Sequence, residues 1–282
     1  MTTTTAKVRR PRRIATGPTT IGAVILAVLV LIALLAPWLA PHDPESVDAT
    51  RIMQAPSPLH LLGTDSLGRD VLSRTMFALR VSLLVSVGSV TLAAVVAIPL
   101  GALAGYFGGW VDILISRPLE MLLVLPALLL AISLIAIVGP GATVAALAIA
   151  LIYLPILARV MRASTLSVAG LGYVEGARAR GAGHLRTLTG HVVPNAVGPV
   201  VVQLSILAGF ALQIEAALSF LGLGTQPPTP SLGLMLSDGR DILGQAPWVE
   251  VFPGLTLAIA VLSFILIGDG LRARLDPDRV SS

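Results

Sequence analysis

The chain has 282 residues, of which 55% are apolar and only 12% are charged. Soluble domains carry about twice that share of charged residues, so the composition excludes an ordinary water-soluble enzyme. Charge-free runs cover residues 14–40, 81–111 and 121–158, and each is longer than the roughly 20 residues that a membrane-spanning helix needs. The sequence therefore predicts an all-α protein that crosses a membrane several times.

The absence of cysteine and the near-absence of lysine restrict the chemistry of the chain. The sequence contains no cysteine, which excludes disulfides, iron–sulfur ligands and thiol nucleophiles. Its only lysine, Lys7, lies in the N-terminal tail, whereas a nucleotide-binding P-loop needs a lysine at the end of a glycine-rich turn. If ATP drives any activity of this protein, a separate chain must bind it.

Six membrane spans are predicted. The apolar signal from 113 to 158 would form a helix on the order of 70 Å long, which is too long for one crossing, and Gly139-Pro140-Gly141 divides it into two helices. The spans cover about 21–40, 81–105, the two halves of 113–158, 196–218 and 248–268. An even number of spans places both termini on the same side of the membrane.

Basic residues concentrate on one of the two predicted faces. Thirteen Lys and Arg residues lie in the N-terminal tail, the segment 159–186 and the C-terminal tail, against five on the opposite face. By the positive-inside rule we expect both termini to be cytoplasmic. No basic stripe interleaved with aromatic residues is present, so the charge pattern predicts no nucleic-acid partner.

The cytoplasmic stretch 161–194 is too polar to cross a membrane. Residues 173–180 are predicted to form a short helix, Gly181-Ala182-Gly183 breaks it, and a second helix begins at His184 and closes at Pro194. Because this pair of helices is joined directly to spans four and five, it would form a protrusion suited to docking against a cytoplasmic partner. A polar loop of this length could equally fold into surface helices that bind nothing.

The spacing within this stretch resembles the EAA motif of ABC-importer permeases. That motif runs Glu-Ala-Ala, three residues, Gly, nine residues and Ile-x-Leu-Pro. The matching positions here are Glu175, Ala177, Gly181 and the run His191-Val192-Val193-Pro194. The register fits throughout, so the stretch is similar to the segment that docks such permeases on their ATPases.

Three positions depart from the motif. Gly176 replaces the first alanine, and we expect it to loosen the first helix by about 1 kcal/mol relative to alanine. His191 and Val193 replace isoleucine and leucine. His191 followed by Pro194-Asn195 is similar to the dipeptide, oligopeptide and nickel branch of the family.

Two further stretches resemble the same branch. Residues 62–74 are similar to the segment that precedes the second span of such permeases, and residues 215–230 are similar to the exit of their fifth span. Asp238-Gly239-Arg240 fits as well. The resemblance covers about 21–278 and is closest to the second, C-type peptide permease subunit.

The resemblance implies a type I ABC importer permease fold with cytoplasmic coupling helices, located in a bacterial inner membrane. The implied partners are a second permease, cytoplasmic ATPase chains that bind ATP and magnesium, an extracytoplasmic binding protein and membrane lipid. The chain itself would hold no cofactor and no catalytic residue. The implied divisions are a basic tail at 1–20, a first helix at 21–40, an extracytoplasmic segment with an interfacial helix at 41–80, a permease domain at 81–270 and a cytoplasmic tail at 271–282.

The resemblance also implies which residues contact the ATPase. Glu175 would meet a cationic ATPase side chain, and Gly181 would supply the turn between the two helices. The implied coupling residues are Gly172, Tyr173, Glu175, Gly176, Ala177, Arg178, Gly181, Ala182 and Gly183, and the motif ends at His191, Pro194 and Asn195.

Charged residues precede the second span. Asp65 and Arg69 are four residues apart and would pair on one helical face if the segment is helical, with Asp70 and Arg74 close by. Two interpretations stay open at this point. The segment would either lie as a solvated helix on the membrane surface or contact the substrate.

Ionisable residues inside a membrane are functional candidates by default. Glu215 lies toward the outer end of span five, in the same span as Gln203 and Gln213. These side chains would face the translocation path, the partner permease or a helix interface. His184 and His191 are seven residues apart, but two ligands without a nearby carboxylate predict no metal site.

Other classes of membrane protein are weaker fits. An ion-coupled secondary transporter usually shows internal inverted repeats, and none is visible in the sequence. A membrane enzyme would need a nucleophile and a base at membrane depth, whereas all four histidines fall in predicted loops. A structural scaffold would not need a coupling motif. Within the importer family the solute stays open among peptides, nickel, opines and glutathione.

Overall fold

The computed structural model describes residues 17–275, which fold into eleven α-helices and one π-helical turn. Residues 1–16 of the predicted basic tail and residues 276–282 of the predicted C-terminal tail lie outside the described residues. Within 17–275 the only isolated β-bridge joins Thr64 and Asp70, so the predicted all-α fold is confirmed. The helices are α1 (Gly17–Leu39), α2 (Val71–Phe107), α3 (Gly109–Val124), α4 (Ala127–Val138), α5 (Ala142–Ala169), α6 (Gly172–Ala179), α7 (His184–Thr187), α8 (Val193–Ala196), α9 (Gly198–Phe220), α10 (Leu232–Arg240) and α11 (Trp248–Leu275), and the π-helical turn (Leu188–Val192) joins α7 to α8.

Five of these helices, α1, α2, α5, α9 and α11, are long and apolar enough to cross a membrane. The pair α3 and α4 passes the same test when taken together, although the two helices are bent by 95° at the break between them. Counted as one span, this pair brings the described crossings to six. The protein is therefore a polytopic membrane protein.

The helix bundle has two ends, the N-side and the distal side, and each is defined by the residues that lie there. The N-side is the end where α1 begins and α11 ends, since Gly270 packs directly on the side chain of Thr19. Tyr106 lies on the same side, at the end of α2. The distal side is the opposite end, where Asp70 and Asp238 lie.

The third span is broken at a position that the sequence analysis did not predict. Two helices were expected between 113 and 158, but the structure has an additional break at Leu125-Pro126. Proline has no N–H to donate, and it forces the preceding residue out of the helical region, so Leu125 is extended with φ −80° and ψ 134°. The predicted break at Gly139-Pro140-Gly141 separates α4 from α5.

The second span begins ten residues earlier than predicted. Asp70 caps α2, because its Oδ2 atom accepts two hydrogen bonds from Ser73, one from the backbone N at 2.8 Å and one from the side-chain Oγ at 2.7 Å. From Val71 the helix continues without interruption for 37 residues to Phe107. The predicted interfacial helix within 41–80 is therefore wrong, since 41–70 form turns and 71–80 belong to α2.

The helices α2 and α5 pack side by side at the centre of the main hydrophobic core. Their N-side halves approach closely because α2 has glycine at the contact. A Cβ atom at Gly105 would lie 2.6 Å from the carbonyl oxygen of Arg162 and 2.9 Å from Cβ of Thr165. Any larger residue at Gly105 would push the two helices apart.

A second hydrophobic core joins α1, α10, α11 and the distal half of α2. The first helix is mostly exposed, and its buried residues are small: Thr19, Gly22, Ala33 and Ala36. Gly22 lies against Leu266 of α11, where a Cβ atom would be 2.7 Å from the leucine Cβ. The described part of the chain thus has α1 attached to the outside of the bundle through α11 and α2.

Candidate functional site: the coupling segment and the distal charge cluster

The predicted pair of short helices is present on the N-side, and we call residues 172–196 the coupling segment. Helix α6 ends in a Schellman motif, in which the N–H of Gly181 bonds to the carbonyl of Arg178 at 2.9 Å and the N–H of Ala182 bonds to that of Ala177 at 3.1 Å. The motif requires a left-handed residue at Gly181, where φ is +87°. The turn between α6 and α7 is therefore fixed by glycine, as the sequence predicted.

Apolar side chains anchor the coupling segment to the bundle. Val174 and Ala177 of α6 are buried, and Leu188 and Val192 of the π-helical turn are buried in the same core. Helix α6 is amphipathic, with its outer face in solvent. Among the predicted coupling and motif-end residues, those with exposed side chains or backbone are Gly172, Tyr173, Glu175, Arg178, Gly181, Gly183, His191, Pro194 and Asn195, while Gly176 and Ala182 are half-buried.

The two halves of the coupling segment are joined to each other. The backbone oxygen of His191 accepts hydrogen bonds from Tyr173 Oη at 3.4 Å and from Asn195 Nδ2 at 2.7 Å. Glu175 is exposed on α6, so its carboxylate is open to a partner. Next to the bend, Arg180, Arg186 and His191 line an open groove of about 300 Å³. The solvent face of the segment thus carries more cationic than anionic side chains.

Tyr106 is a residue that the sequence analysis missed. It lies near the end of α2, and the guanidinium of Arg178 lies 4.7 Å above the centroid of its ring. No local pattern around Tyr106 predicts this contact, since 72 residues separate the two side chains. Asp112 and Arg162 form a second unpredicted contact on the N-side, a two-bond ion pair between α3 and α5.

On the distal side, Asp65 lies at the centre of a buried ion-pair network, which we call the distal charge cluster. Its Oδ2 atom is 2.7 Å from Nε of Arg69 and 3.4 Å from Nε of Arg74. Asp238, from α10, lies 3.5 Å from Arg69 and 3.8 Å from Arg74. The network therefore joins the 41–70 segment to α2 and α10. The pKa of Asp238 is raised above its usual value, because burial raises it more than the two neighbouring arginines lower it.

The predicted solvated helix at this position is wrong. Asp65 is 2% exposed and Arg74 is 1% exposed, and the backbone from Asp65 to Asp70 forms a turn. The pairing of Asp65 with Arg69 is present, but it arises from the turn. Because both guanidinium groups are buried among carboxylates of the same chain, the cluster is a structural element that holds the distal segment in place.

A second group of polar side chains adjoins Asp70. His60 Nδ1 lies 2.9 Å from Asp70 Oδ1, His42 Nδ1 lies 3.7 Å from the same oxygen, and the two imidazole rings are 4.6 Å apart. Two histidines and an aspartate are a donor set that metals accept. However, Arg51 lies 3.2 Å from His60 Nε2, and because arginine can only donate, this nitrogen must accept. A histidine that binds a metal usually donates an N–H from its second ring nitrogen to an acceptor. The arrangement fits a hydrogen-bonded cluster around the α2 N-terminus.

The structure places Glu215 inside the chain. Its side chain is fully buried, and Oε1 accepts a hydrogen bond from Ser219 Oγ at 2.8 Å. Helix α10 packs next to it, since Gly233 lies directly on the backbone of Ala216. Of the three open interpretations the structure favours a helix interface within this chain, and a position on an open path is contradicted. Gln213 is exposed and Gln203 is half-buried.

The long apolar helices and the exposed polar segment on one side define a class of protein: a multi-pass membrane protein with a polar protrusion on one face. Residues 97–281 match the family model described as the binding-protein-dependent transport system inner membrane component. Residues 19–56 match the N-terminal TM domain of oligopeptide transport permease C. The chain belongs to this family of binding-protein-dependent transport permeases, as its motifs predicted.

Curated relatives extend over most of the chain. A dipeptide transport system permease protein from Alkalihalophilus pseudofirmus is 40% identical over 257 residues, which cover 91% of this chain and 84% of the relative. A di/tripeptide transport system permease protein from Pseudomonas aeruginosa is 43% identical, with 91% and 86% covered. A glutathione transport system permease protein from Pectobacterium atrosepticum is 42% identical, with 91% and 85% covered.

Proposed function

We propose that this chain is one of two permease subunits of an ATP-driven importer of short peptides. Together with the second permease it forms the translocation path, an extracytoplasmic binding protein delivers the peptide, and cytoplasmic ATPase chains bind ATP and magnesium. The observation that carries the proposal is the exposed coupling segment with its glycine-fixed bend, in a chain of this family. The names of the relatives support peptides as the solute.

In this proposal the N-side faces the cytoplasm of a bacterial cell, and the distal side faces outward across the inner membrane. The coupling segment on the N-side carries Arg178, Arg180 and Arg186, and cytoplasmic loops are enriched in such residues. The distal side bears the buried charge cluster instead. Membrane lipid surrounds the exposed apolar faces of α1 and the other outer helices.

The coupling segment docks on the ATPase through its solvent face. Glu175 meets a cationic ATPase side chain, and the groove lined by Arg180, Arg186 and His191 receives acidic ones. Charges placed this way fix the register of an interface more than its affinity. Reversal of charge at Arg180 and Arg186 places like charges against each other across the interface, so it is expected to lower the amount of ATPase that copurifies. The loss is expected to shrink as the salt concentration is raised, because salt screens the repulsion.

The test is a glycine substitution in the purified importer reconstituted in liposomes. Gly181→Val places a β-branched residue at φ +87°, so it distorts the bend without removing a core side chain. We expect normal membrane insertion and normal ATP hydrolysis with uptake largely lost. Gly244→Val, at an exposed turn glycine with nothing within 4 Å, serves as the matched control and keeps uptake. Normal uptake by the Gly181 variant would contradict the proposal.

Copurification tests the partners. The tagged chain, extracted in mild detergent, is expected to bring a second permease and an ATPase, and uptake driven by ATP is expected for dipeptides. Recovery of the chain alone, under conditions that preserve a control importer, would favour an ion-coupled transporter. If ATP drives the uptake of nickel or glutathione and dipeptides do not compete, the proposal of an ATP-driven importer stands, but its solute is not a short peptide.

A further inference from the structure

Tyr106, the next-to-last residue of α2, lies between the two halves of the coupling segment. From α6, Arg178 stacks on its ring and donates from Nε to Tyr106 Oη at 3.3 Å. From α7, His184 approaches the same oxygen with Nδ1 at 3.4 Å, and its ring meets the tyrosine ring edge-on at 6.0 Å. One aromatic side chain therefore contacts both short helices.

The two contacts come from opposite sides of the bend at Gly181. Arg178 precedes the bend and His184 follows it. If the angle between α6 and α7 changes, the two side chains cannot both keep their distances to a single ring. Tyr106 is thus placed where a change in the shape of the coupling segment must either move the end of α2 or break a contact.

Helix α2 is built to carry such a movement away from the N-side. It is continuous from Val71 to Phe107, and a helix of that length is about 55 Å long. Just before Tyr106, Gly105 packs against the backbone of α5 without a gap. At its other end, Arg74 of α2 is tied into the distal charge cluster. A displacement of Tyr106 is therefore shared by both central helices.

We propose that Tyr106 is a positioning residue that transmits movement of the coupling segment to α2. This inference rests on the proposed importer function and names the side chain through which the coupling segment acts on the membrane helices. A purely structural role predicts something different. If Tyr106 only held the fold together, its removal would lower hydrolysis and uptake in the same proportion.

The experiment uses the complete importer reconstituted in liposomes with its binding protein, and it measures peptide taken up per ATP hydrolysed. Tyr106→Leu is expected to lower this ratio about two- to fivefold, the factor that corresponds to one exposed cation–π contact. Tyr106→Phe keeps the ring and is expected to retain most of the ratio. Trp110→Leu removes an aromatic ring that is 73% exposed on the same side and is expected to leave the ratio unchanged.

A double substitution tests the partner side chain. Arg178→Gln alone is expected to lower uptake per ATP as much as Tyr106→Leu, and the two changes together are expected to lower it no further. Additive effects would overturn the proposal, as would an unchanged ratio or a proportional fall of hydrolysis and uptake. If Tyr106→Leu does not fold, Tyr106→Met, which also removes the ring, takes its place in the same comparison with Arg178→Gln.

The two proposals fail in distinguishable ways. If the unmodified importer shows no ATP-driven uptake, the proposed function is wrong and the role of Tyr106 falls with it. If the unmodified importer works and Tyr106→Leu keeps its uptake per ATP, only the role of Tyr106 is wrong.

Discussion

The Nε atom of Arg69 donates to Oδ2 of Asp65 over 2.7 Å, and both side chains are almost fully buried. The same aspartate organises the backbone around it, since its Oδ1 atom accepts from the backbone N of Leu67 and of Arg69, each at 2.9 Å. A single carboxylate thus closes a tight turn and neutralises a buried arginine, which is how a polar segment is held at the start of a membrane helix.

Removal of this carboxylate is expected to destabilise the protein strongly. Asp65→Ala leaves two buried guanidinium groups with only the more distant Asp238 as a carboxylate partner. The loss of one member of a buried ion pair costs about 3–5 kcal/mol. The measurement is the unfolding free energy of the purified chain in detergent. Asp241→Ala is the control, because the Arg240–Asp241 pair is exposed and is expected to contribute almost nothing. Equal effects at the two positions would contradict the central role of Asp65.

Gly68 is expected to tolerate no side chain. Its φ is +74°, and a Cβ atom there would collide with the backbone carbonyl of Asp48. Gly68→Ala is therefore expected to destabilise the distal segment by more than the roughly 1–2 kcal/mol of left-handed backbone strain alone. Gly88→Ala, in α2 with open space around it, is expected to stabilise by up to about 1 kcal/mol. The measurement is the melting temperature, which is expected to fall for Gly68→Ala and to rise for Gly88→Ala relative to the unmodified protein.

Glu215→Gln is expected to leave both stability and uptake nearly unchanged. The amide has the shape of the carboxyl group, and its Oε1 atom still accepts from Ser219. We expect the melting temperature of the variant to match that of the unmodified protein. Loss of uptake in a normally folded variant would show that Glu215 acts on the solute after all.

Two ion pairs on the N-side are expected to differ in strength. Arg162 holds Asp112 with two hydrogen bonds, whereas Arg117 and Glu120 approach only to 3.9 Å and are more than half exposed. Double-mutant cycles are expected to give about 1 kcal/mol for the first pair and less than about 0.5 kcal/mol for the second. A larger coupling energy for the Arg117–Glu120 pair would contradict this ranking.

Hydropathy and glycine spacing predicted most of the architecture because both are local properties. A run of apolar residues has to be buried in lipid or in protein, so each predicted span corresponds to a helix or to the bent pair. Gly181 was identifiable because a left-handed residue must follow α6 if the chain is to turn there. The family resemblance depended on the same local spacing, and the comparisons confirm it.

Three features could not be predicted because they depend on distant contacts. The start of α2 was missed because Arg74 looks like a solvent-exposed residue until Asp65 and Asp238 are brought around it. The break at Pro126 has no sequence signal of its own, since Pro99 lies inside a helix that continues without interruption. Tyr106 needed the fold to bring it to the coupling segment.

The outer position of α1 has a consequence for the order in which the protein is assembled. Leu266, against which Gly22 packs, follows it by 244 residues in the chain. At ribosomal rates of about 5–20 residues per second, α1 waits on the order of 10–50 s in the bilayer before its docking surface on α11 is made. During that interval α2 is available to α1, but its main contact surface, on α11, is not. Within residues 17–275, the helix that is synthesised last therefore completes the attachment of the one that is synthesised first.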